Sequence, residues 1–116
     1  MNGMYVIEFD GSDGSGLGTL TFKDGLIYGF DAGGATYDGQ YVPSPVPGMV
    51  SVTVSIKMPA GLPSVVGGIT QPFDWTLVVT AELPINSYQG HVQVFTNLGP
   101  SIMATYRRMR ALPLAA

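Results

Sequence analysis

The fold is decided by the stretch Leu20-Thr21-Phe22-Lys23-Asp24-Gly25-Leu26-Ile27-Tyr28-Gly29-Phe30 of this 116-residue chain. Two runs of apolar and β-branched residues flank Asp24-Gly25 in it. Aspartate and glycine both tolerate the positive φ angles that a two-residue type I′ turn requires, so this pair predicts a tight β-hairpin. Before the turn, Leu20 and Phe22 alternate with Thr21, which is the period of a strand that buries one face.

The same period of two continues along the chain, and turn residues interrupt it about every ten residues, as in sandwiches and barrels. It predicts eight strands, over residues 4–9, 16–23, 26–32, 35–42, 49–57, 73–82, 88–96 and 101–108. Consecutive strands joined by short turns form a meander, and closing a meander removes its exposed edges. We therefore expect one all-β domain over residues 1–116, a closed eight-stranded antiparallel up-and-down barrel.

Composition and charge exclude several classes of function. The net charge of −3 leaves no basic patch for a phosphate backbone, so we expect no nucleic-acid partner. Arg107, Arg108 and Arg110 are expected to be a solvated strand end, with a patch for an acidic partner as the alternative. The absence of cysteine is compatible with a reducing compartment, and the N-terminus has no leader-like pattern, so we expect no signal peptide. No apolar run reaches membrane-spanning length, so no membrane partner is expected.

The residues that enzymes use for nucleophilic or phosphate chemistry do not form a motif here. His91, the only histidine, alternates with Gln89 and Gln93 on a predicted outer face, and the chain has no cysteine. The segment Gly14-Ser15-Gly16-Leu17-Gly18 lacks a following Gly-Lys-Ser/Thr and precedes a strand, so it is interpreted as a hairpin loop rather than a phosphate loop. We expect no catalytic residue and no cofactor.

The aspartates are interpreted as structural. Asp10, Asp13 and Asp24 lack the alternating ligands and closing glutamate of a calcium loop, so we expect turn residues and no metal site. Asp31 shares a strand face with Gly29. If that face points inward, the Asp31 carboxylate needs donors, such as tyrosine hydroxyls or backbone amides.

A barrel of about eight strands is either filled by side chains or holds one small ligand. Inward glycines are expected to leave room and to let strands bend, and they are Gly18, Gly29, Gly39 and Gly90. The candidate lining of a pocket for a small apolar ligand comprises Tyr37, Tyr41, Val52, Val54, Trp75 and Leu77.

One strand is apolar on both faces. Leu26, Tyr28 and Phe30 share one face, opposite Ile27 and Gly29. If Ile27 and Gly29 point inward, the other three form an exposed apolar row, which usually marks an interface. We expect self-association through this row, with a covering loop from the same chain as the alternative.

Short glycine-based motifs occur in a set order along most of the chain, densest over residues 3–41 and 62–79. They are Asn2-Gly3-Met4-Tyr5-Val6-Ile7-Glu8-Phe9, Gly16-Leu17-Gly18-Thr19-Leu20, Lys23-Asp24-Gly25-Leu26-Ile27-Tyr28-Gly29-Phe30-Asp31, Tyr37-Asp38-Gly39-Gln40-Tyr41 and Leu62-Pro63-Ser64-Val65-Val66-Gly67, before the strand at 73–79. In order and spacing they resemble the GrlR-like family, which is named for a negative regulator of type III secretion.

The resemblance implies an eight-stranded lipocalin-like barrel with an apolar cavity and a loop plugging one end, here residues 59–72. It also implies a cytoplasmic homodimer that acts by binding a protein. The founding regulator binds its activator through an acidic cluster before its fifth strand, and the corresponding stretch here is Ser44-Pro45-Val46-Pro47-Gly48, without an acid. Two functions follow: a dimeric regulatory or interaction barrel, or a binder of a small apolar ligand.

Overall fold

The computed structural model describes residues 1–11, 14–64, 70–99 and 101–114. It is a closed barrel in which every strand pairs antiparallel with the next and the last pairs with the first, as predicted. The strands are β1 (Gly3–Gly11), β2 (Gly14–Lys23), β3 (Leu26–Asp31), β4 (Thr36–Pro43), β5 (Met49–Met58), β6 (Trp75–Pro84), β7 (Gln89–Thr96) and β8 (Ser101–Arg110). The part of the chain that the structure describes contains no helix that could cross a membrane.

The hairpin that the Asp24-Gly25 pair predicts is present. Asp24 and Gly25 have φ angles of 50° and 87°, and Lys23 pairs with Leu26 across the turn. The Tyr41 N–H donates to the Gly25 carbonyl at 2.9 Å, which ties this turn to β4. We call this end of the barrel, which also holds both ends of the described chain, the lower end.

Inward side chains from all eight strands form one apolar core. Ile27 of β3 is the most deeply buried large side chain. Tilted ring contacts join Tyr5 to Phe22 at 5.0 Å and Phe22 to Tyr41 at 5.3 Å, and Phe9 stacks on Tyr37 at 6.0 Å. Because these rings come from β1, β2 and β4, they join strands that are not all neighbours in the sheet.

The inward glycines Gly29 and Gly39 do not leave room, contrary to expectation. A Cβ on Gly29 would overlap the carbonyl oxygen of Thr19 and lie 3.1 Å from the Leu20 Cα. A Cβ on Gly39 would overlap the Thr53 carbonyl oxygen. Glycine is therefore required where adjacent backbones approach closely, which fits the predicted bending of strands rather than the predicted cavity space.

Several predicted strand boundaries differ from the structure, and the starts of β2 and β6 matter most. Gly11 pairs with Gly14, so the segment Gly14–Gly18 interpreted as a hairpin loop belongs to β2. Phe73, predicted inside the barrel, is 59% exposed and precedes β6. The Asp74 carboxylate accepts a hydrogen bond from the Ala60 N–H at 3.0 Å, so it ties this point of the chain to the preceding loop and not to a strand.

The loop before β6 turns back on itself at the upper end of the barrel, the end opposite the Asp24-Gly25 turn. The Gly61 N–H donates to the Gln71 carbonyl at 2.8 Å, and Leu62 packs against the core. Residues 65–69 of the expected plug lie outside the described residues, so the plug at 59–72 stays a prediction.

The strands β6 and β7 are consecutive, yet they pair only over Val79–Thr96 and Thr80–Phe95. Backbone hydrogen bonds hold both ends of the turn between them. The N–H of Ile85, at the start of the turn, donates to the carbonyl oxygen of Gly48 before β5 at 2.9 Å. The carbonyl oxygen of Tyr88, at the end of the turn, accepts the Arg108 N–H of β8 at 2.6 Å. These bonds attach the two ends of the turn to different neighbours. The hairpin therefore splays towards its turn, and we call this splayed region, between residues 81–84 and 89–94, the seam.

Candidate functional site

The lower half of the barrel interior contains a cavity of about 50 Å³. Its accessible wall is apolar, and Met1 and Tyr5 belong to that wall. Tyr37, Val52 and Val54, three of the side chains predicted to contact a ligand, also line it. The space therefore suits an apolar group, because nothing on its accessible wall would satisfy a buried polar atom.

A second cavity of about 250 Å³ occupies the upper half of the barrel. Leu77, another predicted ligand contact, lines it together with the carboxylate-bearing Asp31. Phe9, Tyr37 and Val79 line both cavities. These three side chains therefore form the partition between the two spaces.

Two predicted ligand contacts, Tyr41 and Trp75, line neither of these cavities. The Tyr41 hydroxyl donates to the Asn2 Oδ1 at 2.8 Å, at the lower end. Trp75 is half-buried at the start of β6, and its Nε1 has no hydrogen-bond partner among the described residues. Both side chains lie on the predicted inner face, but at the two ends of the barrel.

Asp31 has the donors that its inward position was predicted to need. Its Oδ1 accepts hydrogen bonds from the backbone N–H groups of Gly33 at 3.0 Å and Ala35 at 3.1 Å. Its Oδ2 accepts the Tyr37 hydroxyl at 2.8 Å. The carboxylate thus holds the β3–β4 turn in shape and fixes the Tyr37 ring between the two cavities.

Burial raises the pKa of the Tyr37 phenol well above its ordinary value of 10.0, and the hydrogen bond to the Asp31 carboxylate adds to the rise. A buried phenol resists ionisation because the phenolate would lose its hydration. The adjacent carboxylate acts in the same direction, since it repels a second negative charge.

We expect Tyr37→Phe to flatten the loss of stability above pH 10. There the unfolded chain releases the phenol proton that the folded state keeps, so unfolding becomes easier by about 1.4 kcal/mol per pH unit for such a tyrosine. Urea midpoints at pH 7, 10 and 11 measure this slope. Tyr88→Phe, which removes an exposed phenol, is the control; an equal change of slope in both variants would contradict the assignment.

Arg108 was predicted to be part of a solvated strand end, and for this residue the prediction was wrong. Its guanidinium lies 4.7 Å from the centre of the Tyr88 ring, and its Nη2 donates to the Asn2 carbonyl at 2.9 Å. A Cβ on Gly3 would lie 2.5 Å from the Arg108 Nε, so this side chain crosses β1 where glycine permits it. Strand alternation from buried Tyr106 could have indicated this inward position.

The predicted apolar row is on the surface of the barrel. Leu26, Tyr28 and Phe30 are 59%, 43% and 64% exposed, whereas Ile27 between them is buried. Leu17 of β2, also exposed, extends the row beyond Phe30. The expectation of an outward row is therefore confirmed, and no described segment covers it.

The remaining polar candidates are dispersed. His91 is exposed, with its Nδ1 3.2 Å from the Thr105 Oγ1. Asp10 and Asp24 lie at opposite ends of the barrel, and Asp13 lies outside the described residues. Among the residues that the structure describes, no three acidic or histidine side chains form a cluster that could hold a metal ion.

The fold and its interior thus define a small closed β-barrel with an apolar core cavity. No protein-family model matches the chain, and no curated protein matches it. The resemblance to the GrlR-like family therefore stays a prediction.

Proposed function

We propose that this protein is a non-enzymatic regulatory or interaction barrel that acts as a homodimer and binds a protein partner. The observation that carries the proposal is the exposed row of Leu26, Tyr28 and Phe30 on β3. Aromatic side chains are enriched in the centres of interfaces, and contiguous apolar surface on a small monomer is costly to leave in water. We call the outer surface of β2, β3 and β4 around this row the β3 face.

The charges on the β3 face favour a second copy of the chain as its occupant. Outward positions beside the row are mostly Thr and Gln, with Lys23 on β2 and Asp38 on β4 as the charged members. These two charges have opposite sign and lie on opposite sides of β3. A surface with this arrangement is nearly neutral and suits a copy of itself.

A twofold axis parallel to β3 is the arrangement that these positions allow best. It places β2 of one subunit over β4 of the other, because Thr21, Tyr28 and Asp38 share one row across the three strands. Tyr28 then meets its own copy, and Thr21 meets the partner's Asp38, which can accept its hydroxyl. An axis perpendicular to β3 and through the Tyr28 row would instead bring the two Asp38 carboxylates together, and like charges at an interface are unfavourable.

We expect Phe30→Lys to convert the protein from a dimer to a monomer. Burying two lysines at the centre of the interface costs more than the lost aromatic contact alone, and central aromatic residues commonly contribute about 2 kcal/mol or more. Size-exclusion chromatography with light scattering should show twice the 12.2 kDa chain mass for the wild type and 12.2 kDa for the variant.

Phe73→Lys is the matched control, because Phe73 is an aromatic side chain of similar exposure that lies in the loop before β6. The Phe73→Lys variant should remain dimeric. A wild-type protein that stays monomeric at millimolar concentration would overturn the dimer proposal. Equal dissociation by both substitutions would show that the β3 face is not the dimer interface.

The protein partner of such a dimer follows from the GrlR-like resemblance. The stretch 44–48, which corresponds to the activator-binding position of that family, carries no charge, and Val46 within it is exposed. A partner that docks at this loop would therefore meet an apolar surface rather than an acidic one.

The interior supports a second candidate function, the binding of a small apolar ligand. The specific observation is the apolar wall of the 50 Å³ cavity together with the larger space above it. Calorimetric titration with a medium-chain alcohol such as 1-decanol tests this role. Saturable binding supports it, and the absence of heat at each of two well-separated temperatures contradicts it, because burial of apolar surface makes the binding enthalpy change with temperature.

A further inference from the structure

We propose that the seam is a lateral opening through which a single alkyl chain enters the barrel, and that an uncharged hydroxyl headgroup stays in the seam. This inference rests on the second candidate function. Its starting point is the two-pair contact between β6 and β7, whereas in a fully formed hairpin of the same register Glu82 would oppose Gln93. Both strands lie wholly within the described residues, so the gap belongs to the described part of the barrel.

The seam connects the surface to the interior. A groove of about 550 Å³ runs along it, and Glu82, Gln93 and Phe95 line its outer part. The residues that line both this groove and the lower cavity are Val52, Thr80, Ala81 and Val92. An alkyl chain that passes between Ala81 and Val92 would therefore reach the apolar wall of the lower cavity, whose volume of about 50 Å³ takes only the end of the chain, while the rest of the chain lies in the groove.

The chemistry of the groove selects the headgroup. Strand pairing leaves backbone N–H and C=O groups of β6 and β7 without ladder partners along the seam, and both kinds of group bond readily to a hydroxyl. Glu82 is the one charged side chain among the described residues that line the groove, and it accepts the Ser51 hydroxyl at 2.6 Å. A carboxylate headgroup would be repelled by Glu82, so an alcohol or a glycerol ester suits the site better.

A disulfide across the seam tests this assignment, because the chain has no cysteine of its own. In Glu82→Cys/Gln93→Cys the two new thiols would close the seam on oxidation. In the control His91→Cys/Thr105→Cys the bond would join residues that are already paired between β7 and β8 and that line neither the groove nor the lower cavity. Each oxidised protein is compared with its own reduced form by calorimetric titration with 1-decanol, so that the substitutions themselves cancel.

We expect oxidation of the seam pair to weaken 1-decanol binding at least about tenfold and oxidation of the control pair to leave it unchanged. Ala81→Phe should weaken 1-decanol binding to the same extent without a disulfide, since the phenyl ring fills the point where groove and cavity meet. This variant tests entry through the seam if the disulfide of the seam pair does not form. Decanoate should bind the wild type more weakly than 1-decanol.

The outcomes separate this inference from the function on which it rests. If the wild type binds no 1-decanol, the ligand-binding role and the lateral opening both fail. If the wild type binds but neither seam closure nor Ala81→Phe weakens binding, the chain enters through an end of the barrel and the opening alone is overturned. Circular dichroism of each variant verifies that the strands are intact.

Discussion

Replacing Gly29 with alanine is expected to lower the free energy of unfolding by at least about 3 kcal/mol, because overpacking against backbone cannot be relieved by a rotamer change. The new Cβ would overlap the Thr19 carbonyl oxygen and lie 2.9 Å from its carbonyl carbon. Both atoms belong to β2, whose ladder with β3 would have to separate. Urea unfolding followed by the fluorescence of Trp75, the only tryptophan, measures the change.

Gly33→Ala is the matched control for this substitution. A Cβ on Gly33 would meet the two δ-methyl groups of Leu62 at 3.1 and 3.2 Å. Those atoms are the far end of a flexible side chain, so the expected loss is below about 1 kcal/mol. Gly39→Ala should behave like Gly29→Ala, since its Cβ would overlap the Thr53 carbonyl oxygen. Equal effects of Gly29→Ala and Gly33→Ala would show that the close approach of β2 does not require glycine at position 29.

Asp31→Ala is expected to lower the free energy of unfolding by about 2–4 kcal/mol, because three donors, two of them partly buried, would lose their charged acceptor. The Tyr37 hydroxyl and the N–H groups of Gly33 and Ala35 would all lose their partner. The β3–β4 turn would loosen, and Tyr37 would no longer be held between the two cavities. Urea unfolding gives the loss of stability, and 1-decanol titration reports whether the interior has changed.

Asp31→Asn distinguishes hydrogen bonding from charge at this position. The amide oxygen can still accept from both backbone N–H groups, and the Tyr37 hydroxyl can rotate to accept from the amide nitrogen. The expected loss is therefore only about 1 kcal/mol. A loss for Asp31→Asn as large as that for Asp31→Ala would mean that the negative charge, and not the acceptor geometry, holds the turn.

The outer and inner faces of the strands could be assigned from the sequence, but the height of a residue inside the barrel could not. Alternation placed Tyr37, Val52 and Leu77 on the inner face, and they line the cavities. It placed Tyr41 and Trp75 on the same face, but they lie at the two ends. Height depends on the stagger between strands around the barrel, which is a property of the closed sheet and not of any one strand.

The seam and the position of Phe73 show a second limit of sequence reasoning. Regular alternation over 73–82 and 88–96 predicts a complete hairpin, because nothing local marks the strands as splayed. The turn between β6 and β7 is held by backbone hydrogen bonds to Gly48 and Arg108. The hydrogen bond from the Ala60 N–H to Asp74 holds the chain in the preceding loop just before Trp75. Long-range hydrogen bonds of this kind override local β propensity.

By itself, the sequence determined the number of strands, their order, the tight turn at Asp24-Gly25 and the inward faces of the alternating strands, because all of these follow from local turn chemistry and a period of two. Since β3 is apolar on both faces, only the structure decided that Leu26, Tyr28 and Phe30 point outward. Only the tertiary structure decided where the barrel remains open, which glycines allow adjacent backbones to approach closely and which inward side chains share a cavity. Those features depend on contacts between strands far apart in the chain, and no local pattern encodes the distance between them.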